Sequence, residues 1–183
     1  MFDTVLIAGL GLMGGSMAKT IKARTLSRVL GWNRTRATAE QALADGAIDA
    51  IATDALFREV DLVIISLYPQ ATVDWLLENM PKMKKGCVIV DMVGVKQFMV
   101  DHLEQAALDA GVHYVGGHPM AGREFSGLDY ALPTLFDGAS MIFVPTRSSS
   151  ERILSQLEAY FMSLGFGQTV RCTAEQHDHM IAF

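Results

Sequence analysis

Apolar residues in this chain fall into short continuous runs, separated by longer stretches in which they recur every three or four positions. "TVLIA" (4–8), "RVLGWN" (28–33), "DLVIISL" (61–67) and "GCVIVDM" (86–92) have the length of buried strands and are bounded by turn residues. "VHYVG" (112–116), "ASMIFVP" (139–145) and "QTVRCT" (168–173) read the same way. A helical pattern follows the first run, and another covers "TRATAEQALADG" up to a stop at Gly46. Further helices are expected over 70–80, through "KQFMVDHLEQAALDAG" to Gly111, and near 149–163. Strands alternating with helices predict an α/β fold built on a doubly wound, mostly parallel sheet. No internal repeat or low-complexity linker interrupts the pattern.

The final stretch, "TAEQHDHMIAF", starts as one more helix, with Thr173 as N-cap and Gln176 completing a capping box. It then stops without glycine, proline or a polar tail, and carries apolar Met180, Ile181 and Phe183 at its end. We therefore expect residues 1–172 to form one domain and 173–183 to open a helical domain that lies beyond this sequence.

Composition narrows the class. Half of the 183 residues are hydrophobic and 19% are charged, which suits a packed core and not a disordered chain. The net charge of −5 argues against a nucleic-acid partner. Lys82, Lys84 and Lys85 form the tight basic cluster, which reads as a solvated helix end and turn. The apolar runs are too short to span a bilayer, and the start has no signal-peptide pattern, so no membrane partner is expected. Cys87 and Cys172 read as buried thiols of a reducing, cytoplasmic setting and not as a disulfide or metal site.

Gly9, Gly11 and Gly14 form G-x-G-x-x-G between the first strand and a helix, the context of a Rossmann-type dinucleotide turn. Gly9 makes the turn, Gly11 admits a pyrophosphate to the backbone, and Gly14 lets helix and strand pack closely. Leu12 and Met13 open the helix, whose N–H groups and dipole favour phosphate. A carboxylate about 20 residues further on would hold an adenosine ribose. Here the second strand ends in Asn33, Arg34, Thr35 and Arg36. Asn33 can bond a hydroxyl without repelling phosphate, and Arg34 can pair with a 2′-phosphate or stack on adenine. NAD and NADP both stay open, with the arginine favouring NADP.

"VGGHPMAGREFSG" (115–127) places His118 between a glycine pair and Pro119. Proline pushes His118 toward extended geometry, and the glycines suggest a stiff, irregular segment that turns or approaches a ligand. Such a histidine is either a plain carbonyl partner or a chemical group.

The motifs "GLGLMGGSMA" (9–18), "DMVGVKQ" (91–97), "GGHPMAGREFSG" (116–127), "LFDGASMIFVP" (135–145) and "AEQHDHMIA" (174–182) together resemble the prephenate dehydrogenase family, its arogenate-using relatives included. The resemblance implies an N-terminal nucleotide-binding domain followed by a helical dimerisation domain, hence a homodimer. It implies NAD(P)-dependent oxidative decarboxylation of prephenate to 4-hydroxyphenylpyruvate, or of arogenate to tyrosine, in tyrosine biosynthesis. On the same ground His118 is the base that takes the substrate hydroxyl proton, a role suited to an imidazole. Glu124 matches an acidic residue near the mouth of the site. Lys96 matches the family lysine, whose role stays open between catalysis and a structural salt bridge. Two positions depart from the pattern: Gly94, where the family commonly has serine, and Arg123, where it often has a small polar residue. Arg123 and Glu124 read equally well as an exposed ion pair. Two other readings remain: a β-hydroxyacid dehydrogenase, which shares the glycine turn and "NRT", and a non-catalytic dinucleotide-binding module.

Overall fold

The apolar runs become strands of one eight-stranded sheet in the computed structural model, which describes residues 1–182. They are β1 (Thr4–Ala8), β2 (Arg28–Trp32), β3 (Ala50–Ile51), β4 (Leu62–Ile65), β5 (Val88–Asp91), β6 (His113–Pro119), β7 (Ser140–Val144) and β8 (Gln168–Arg171). Their order is β3-β2-β1-β4-β5-β6-β7-β8, and all neighbours are parallel except β6 and β7. The sheet is therefore Rossmann-like and doubly wound, with the order reversing between β1 and β4. Ligand crevices of such sheets open at that reversal, outside the carboxyl ends of the strands.

Helices α1 (Leu12–Arg24), α2 (Arg36–Ala44), α3 (Pro69–Asn79), α4 (Gln97–Ala110) and α5 (Glu151–Ser163) cover the two faces. The period of two in a strand sorts its side chains between them. Val5 and Ile7 of β1 join the core of Met17, Ile21, Leu157 and Phe161, whereas Leu6 and Ala8 join that of Val73, Leu76, Met99 and Leu103. Burial on both sides explains why the central strands read as unbroken apolar runs.

Two details differ from the sequence-based expectation, β3 and Cys172, and a third, the antiparallel β7, is the exception within a mostly parallel sheet. β3 was not foreseen, because it consists of Ala50 and Ile51 alone, opposite Leu30 and Gly31. β7 runs antiparallel because residues 120–139 form a loop where a crossover helix would otherwise stand. That loop contains a 3₁₀ turn (Leu128–Tyr130) and is stitched to α1. The Leu132 N–H donates to Ser16 Oγ at 3.0 Å, and Lys19 Nζ and Thr20 Oγ1 each donate to loop carbonyls at 3.1 Å. Cys172 lies just past β8 and is partly exposed, whereas Cys87 is buried and its thiol is pushed up to about 12, leaving it inert.

The last helix, α6 (Ala174–Ile181), has the expected capping box: Gln176 N–H donates to Thr173 Oγ1 at 3.1 Å, and Thr173 N–H to Gln176 Oε1 at 2.9 Å. Met180 and Ile181 are exposed, and Phe183 lies outside the described residues. Lys82 and Lys84 pair with Asp54 and Asp61, which lie at the start of a 3₁₀ segment and just before β4. Among the described residues no helix is long and apolar enough to cross a membrane.

Candidate functional site

Between β1 and α1 the backbone has almost no room. Gly9 sits at φ +91°, and a Cβ there would lie 2.3 Å from the Ser66 carbonyl oxygen. A Cβ on Gly14 would lie 1.8 Å from the Gly9 oxygen, so both positions exclude any side chain. Gly11 is the opposite case, with nothing within 4 Å of its Cβ direction: the backbone is open there to an approaching ligand. Gly11 also caps α1 without a side-chain bond, and the first turn carries no acidic residue. The leading N–H groups, those of Leu12 and Met13, have no acceptor within the helix and face outward with its positive end. An open backbone, orphan donors and no competing carboxylate together fit a dinucleotide pyrophosphate.

The end of β2 braces this turn. Asn33 Oδ1 accepts the Leu10 N–H at 2.9 Å, and Asn33 Nδ2 donates to the Thr35 carbonyl at 3.1 Å. Asn33 thus braces the glycine turn, and a single amide hydrogen remains for a ribose. Thr35 caps α2 without using its hydroxyl, and Arg36 pairs with Glu40 at 3.0 Å. Arg34 is exposed and makes no ion pair among the described residues.

His118 stands near the carboxyl end of β6, on the same edge of the sheet as the glycine turn. It is not on an irregular segment: it pairs with Ile142 across the antiparallel ladder, and neither Gly116 nor Gly117 has positive φ. The glycines serve close approach between strands. A Cβ on Gly117 would fall 2.4 Å from the Asp91 backbone carbonyl oxygen, so only glycine lets β6 lie this tightly on β5. His118 Nδ1 lies 2.8 Å from His177 Nε2, and His177 Nδ1 lies 2.7 Å from Asp178 Oδ1. The Asp178 carboxylate in turn accepts the N–H groups of Lys96 at 2.8 Å and Gln97 at 2.9 Å, at the start of α4. The other edge of the His118 ring faces Gly94, whose Cβ direction ends 3.8 Å from Cε1 and Nε2. Burial above all, with the Lys96 charge adding to it, holds the imidazole below the ordinary histidine pKa, against the opposing pull of Asp91 and Asp178.

Lys96 is turned inward and wholly buried, paired with Asp91. The same carboxylate accepts the Tyr114 hydroxyl at 2.7 Å and the Val93 N–H at 2.8 Å. Burial draws the ammonium pKa down, against the pull of Asp91. Lys96 therefore reaches His118 through its field, having no exposed surface with which to touch a substrate. Glu124 is exposed on the loop after β6. Arg123 does not pair with it: Arg123 Nη1 donates to the Tyr130 carbonyl at 3.0 Å, and the guanidinium lies over the Phe125 ring.

Fold and turn together define the class: a nucleotide-binding domain of Rossmann type. Residues 17–168 match the family model for the prephenate dehydrogenase nucleotide-binding domain, and the chain belongs to this family of oxidoreductases. It is 34% identical over 182 residues to the prephenate dehydrogenase of Bacillus subtilis, a match covering 97% of this chain and 48% of that protein. The crystal structure of A. aeolicus prephenate dehydrogenase in complex with hydroxyphenyl propionate and NAD+ superposes with a TM-score of 0.89. Identity there is 26%, over 98% of this chain and 63% of the other. Synechocystis arogenate dehydrogenase gives a TM-score of 0.88, also at 26% identity, over 98% and 63%. The chain spans about half the length of the Bacillus relative. Membership of this family goes against the β-hydroxyacid dehydrogenase reading.

Proposed function

We propose that the protein takes part in the NAD(P)-dependent oxidative decarboxylation of prephenate or arogenate, a cytoplasmic step of tyrosine biosynthesis. One observation carries this reading: the His118 imidazole stands on the same sheet edge as the glycine turn, with its Nε2 side open toward Gly94. A partly buried imidazole with a lowered pKa is neutral near pH 7 and able to accept a proton. The names of the Bacillus and Synechocystis relatives supply the two candidate substrates.

When bound, the nicotinamide accepts a hydride from the ring carbon that bears the 4-hydroxyl. His118 takes the hydroxyl proton as the carbonyl forms. The bond pair released with carbon dioxide then enters the ring, and the oxygen recovers its proton from His118 to give the phenol. The base is thus regenerated within one turnover. Gly9, Gly11 and Gly14, with the N–H groups of Leu12 and Met13, hold the pyrophosphate, and Asn33 and Thr35 shape the adenosine end. Arg34, exposed and without an ion pair among the described residues, favours NADP. Glu124 is assigned to the mouth of the substrate pocket, and Lys96 to support beneath His118. The additional length of the relatives is where we place the groups that hold the substrate carboxylates and the contacts of a homodimer. Arg123 does not substitute for those groups, because Tyr130 and Phe125 engage it.

Steady-state assays of the full-length gene product with prephenate, arogenate and a panel of small hydroxyacids, each with NAD and NADP, test the reading. Turnover of hydroxyacids alone, or dinucleotide binding without any turnover, overturns it; the second result is the signature of a non-catalytic module.

A further inference from the structure

His177 and Asp178 were legible only as part of a motif, yet they form a continuous hydrogen-bonded line to His118. The polarity of that line follows from its far end. Asp178 receives two backbone N–H groups, which can only donate, so its oxygens act as acceptors. Burial pushes its carboxyl up, but the hydrogen bonds from Gln97, His177 and Lys96 outweigh this and hold it below the usual carboxylate range. Its partner atom, His177 Nδ1, must therefore carry the hydrogen. In a neutral ring that makes His177 Nε2 the lone-pair nitrogen, and the atom facing it at 2.8 Å, His118 Nδ1, must be the donor. One hydrogen on Nδ1 of neutral His118 leaves Nε2 bare, and Nε2 is the nitrogen on the open side by Gly94.

We infer that His177, oriented by Asp178, is a positioning residue that holds His118 in its Nδ1–H tautomer and so presents Nε2 as the proton acceptor. The inference rests on the proposed function only in calling His118 a base; the tautomer itself is a property of the chain. A reversed line requires a charged His177, a cation on a ring with no solvent contact whose counter-charge is the Asp178 carboxylate. The arrangement extends by one ring the logic of a carboxylate that sets the tautomer of a catalytic histidine, where loss of the correct tautomer costs about 10⁴ in turnover. It also keeps a partner on Nδ1 after Nε2 has taken its proton, so the imidazolium remains hydrogen-bonded. Gly94 becomes intelligible on this basis, since the orientation of His118 is set from its Nδ1 side and needs no hydroxyl at Nε2.

Long-range ¹H–¹⁵N correlation spectra of the chain labelled with ¹⁵N-histidine read the tautomer directly, with the His118 signals assigned by their loss in His118→Asn. The expected result is a pyrrole-type Nδ1 and a pyridine-type Nε2 for His118 near neutral pH. His177→Leu removes the acceptor and should shift His118 toward the Nε2–H form. His177→Gln, whose side-chain oxygen reaches to a similar place, should retain the Nδ1–H form. Dinucleotide affinity unchanged in both variants reports an intact fold. In the full-length enzyme His177→Leu should lower kcat by roughly 10²-fold or more, within the usual worth of a general base, and His177→Gln should recover part of it. A wild-type His118 in the Nε2–H form, or one whose tautomer ignores His177→Leu, overturns the inference. Absence of prephenate and arogenate turnover in the wild type instead sinks the proposed function and leaves the tautomer result standing.

Discussion

Asn33 Oδ1 accepts the Leu10 N–H at 2.9 Å across 23 residues of chain, fastening the end of β2 to the glycine turn. The side chain that we assign to the adenosine end is here largely occupied in bracing the turn. Asn33→Ala should therefore weaken NAD and NADP alike, and should cost about 1 kcal/mol of stability for the lost bond. Calorimetric titration beside a urea melt measures both effects; a loss confined to one cofactor contradicts the bracing role.

On the proposed assignment, Arg34 discriminates between the two cofactors. Arg34→Ala should weaken NADP by about ten-fold or more, since a charge-assisted bond is worth about 1.5–3 kcal/mol, and should leave NAD within a factor of about two. Equal weakening of the two leaves only stacking on adenine for this side chain.

His118→Asn removes the proposed proton acceptor while keeping a polar side chain on β6. Turnover of the full-length enzyme should fall by about 10²–10⁴ with dinucleotide affinity unchanged. Wild-type turnover in this variant returns His118 to the status of an ordinary strand residue.

Two alanine substitutions in one turn should fail in different ways. Gly14→Ala drives a methyl into the Gly9 oxygen, whose distance from that Cβ position is 1.8 Å, so the protein should lose on the order of 1–3 kcal/mol or more. Gly11→Ala meets no atom within 4 Å and should melt like the wild type, yet bind dinucleotide at least about ten-fold more weakly because its methyl projects into the ligand's path. Thermal melts with and without NADP separate the two; a destabilised Gly11→Ala contradicts the assignment of that space to a ligand.

The strands and long helices could be read because each is coded by its own residues: apolar runs for β1, β4 and β5, glycine stops for α2 and α4, a capping box for α6. The glycine turn was legible for the same reason. What escaped is what depends on partners far along the chain. β3 has too few residues to leave a pattern, and the glycines beside His118 signal a tight fit between strands as readily as a bend. His177 meets His118 across 59 residues, so no local spacing announces it. The exposed pair imagined for Arg123 and Glu124 fails because the Tyr130 carbonyl and the Phe125 ring engage the guanidinium.

Stability should depend on pH through His118. Its folded pKa is held below that of the unfolded chain, above all by burial, so the unfolded state binds more protons between the two values. The contribution is full above the unfolded value of about 6.5 and is lost as pH falls through the folded one. Urea melts of the wild type should accordingly weaken on acidification below about pH 6.5, and His118→Asn should lack that component. An identical pH dependence in the two proteins contradicts the lowered value.

The cap on α4 is supplied from far away: the Lys96 and Gln97 N–H groups end on a carboxylate 82 and 81 residues downstream. The contacts of the glycine turn close over much shorter stretches, with Leu10 meeting Asn33 and Gly9 lying against Ser66. Chains are made from the N-terminus, and long loops close at greater entropic cost than short ones. The contacts of the glycine turn thus ask less loop-closure entropy than the one that orients His118, whose ring is set only when α6 is in place.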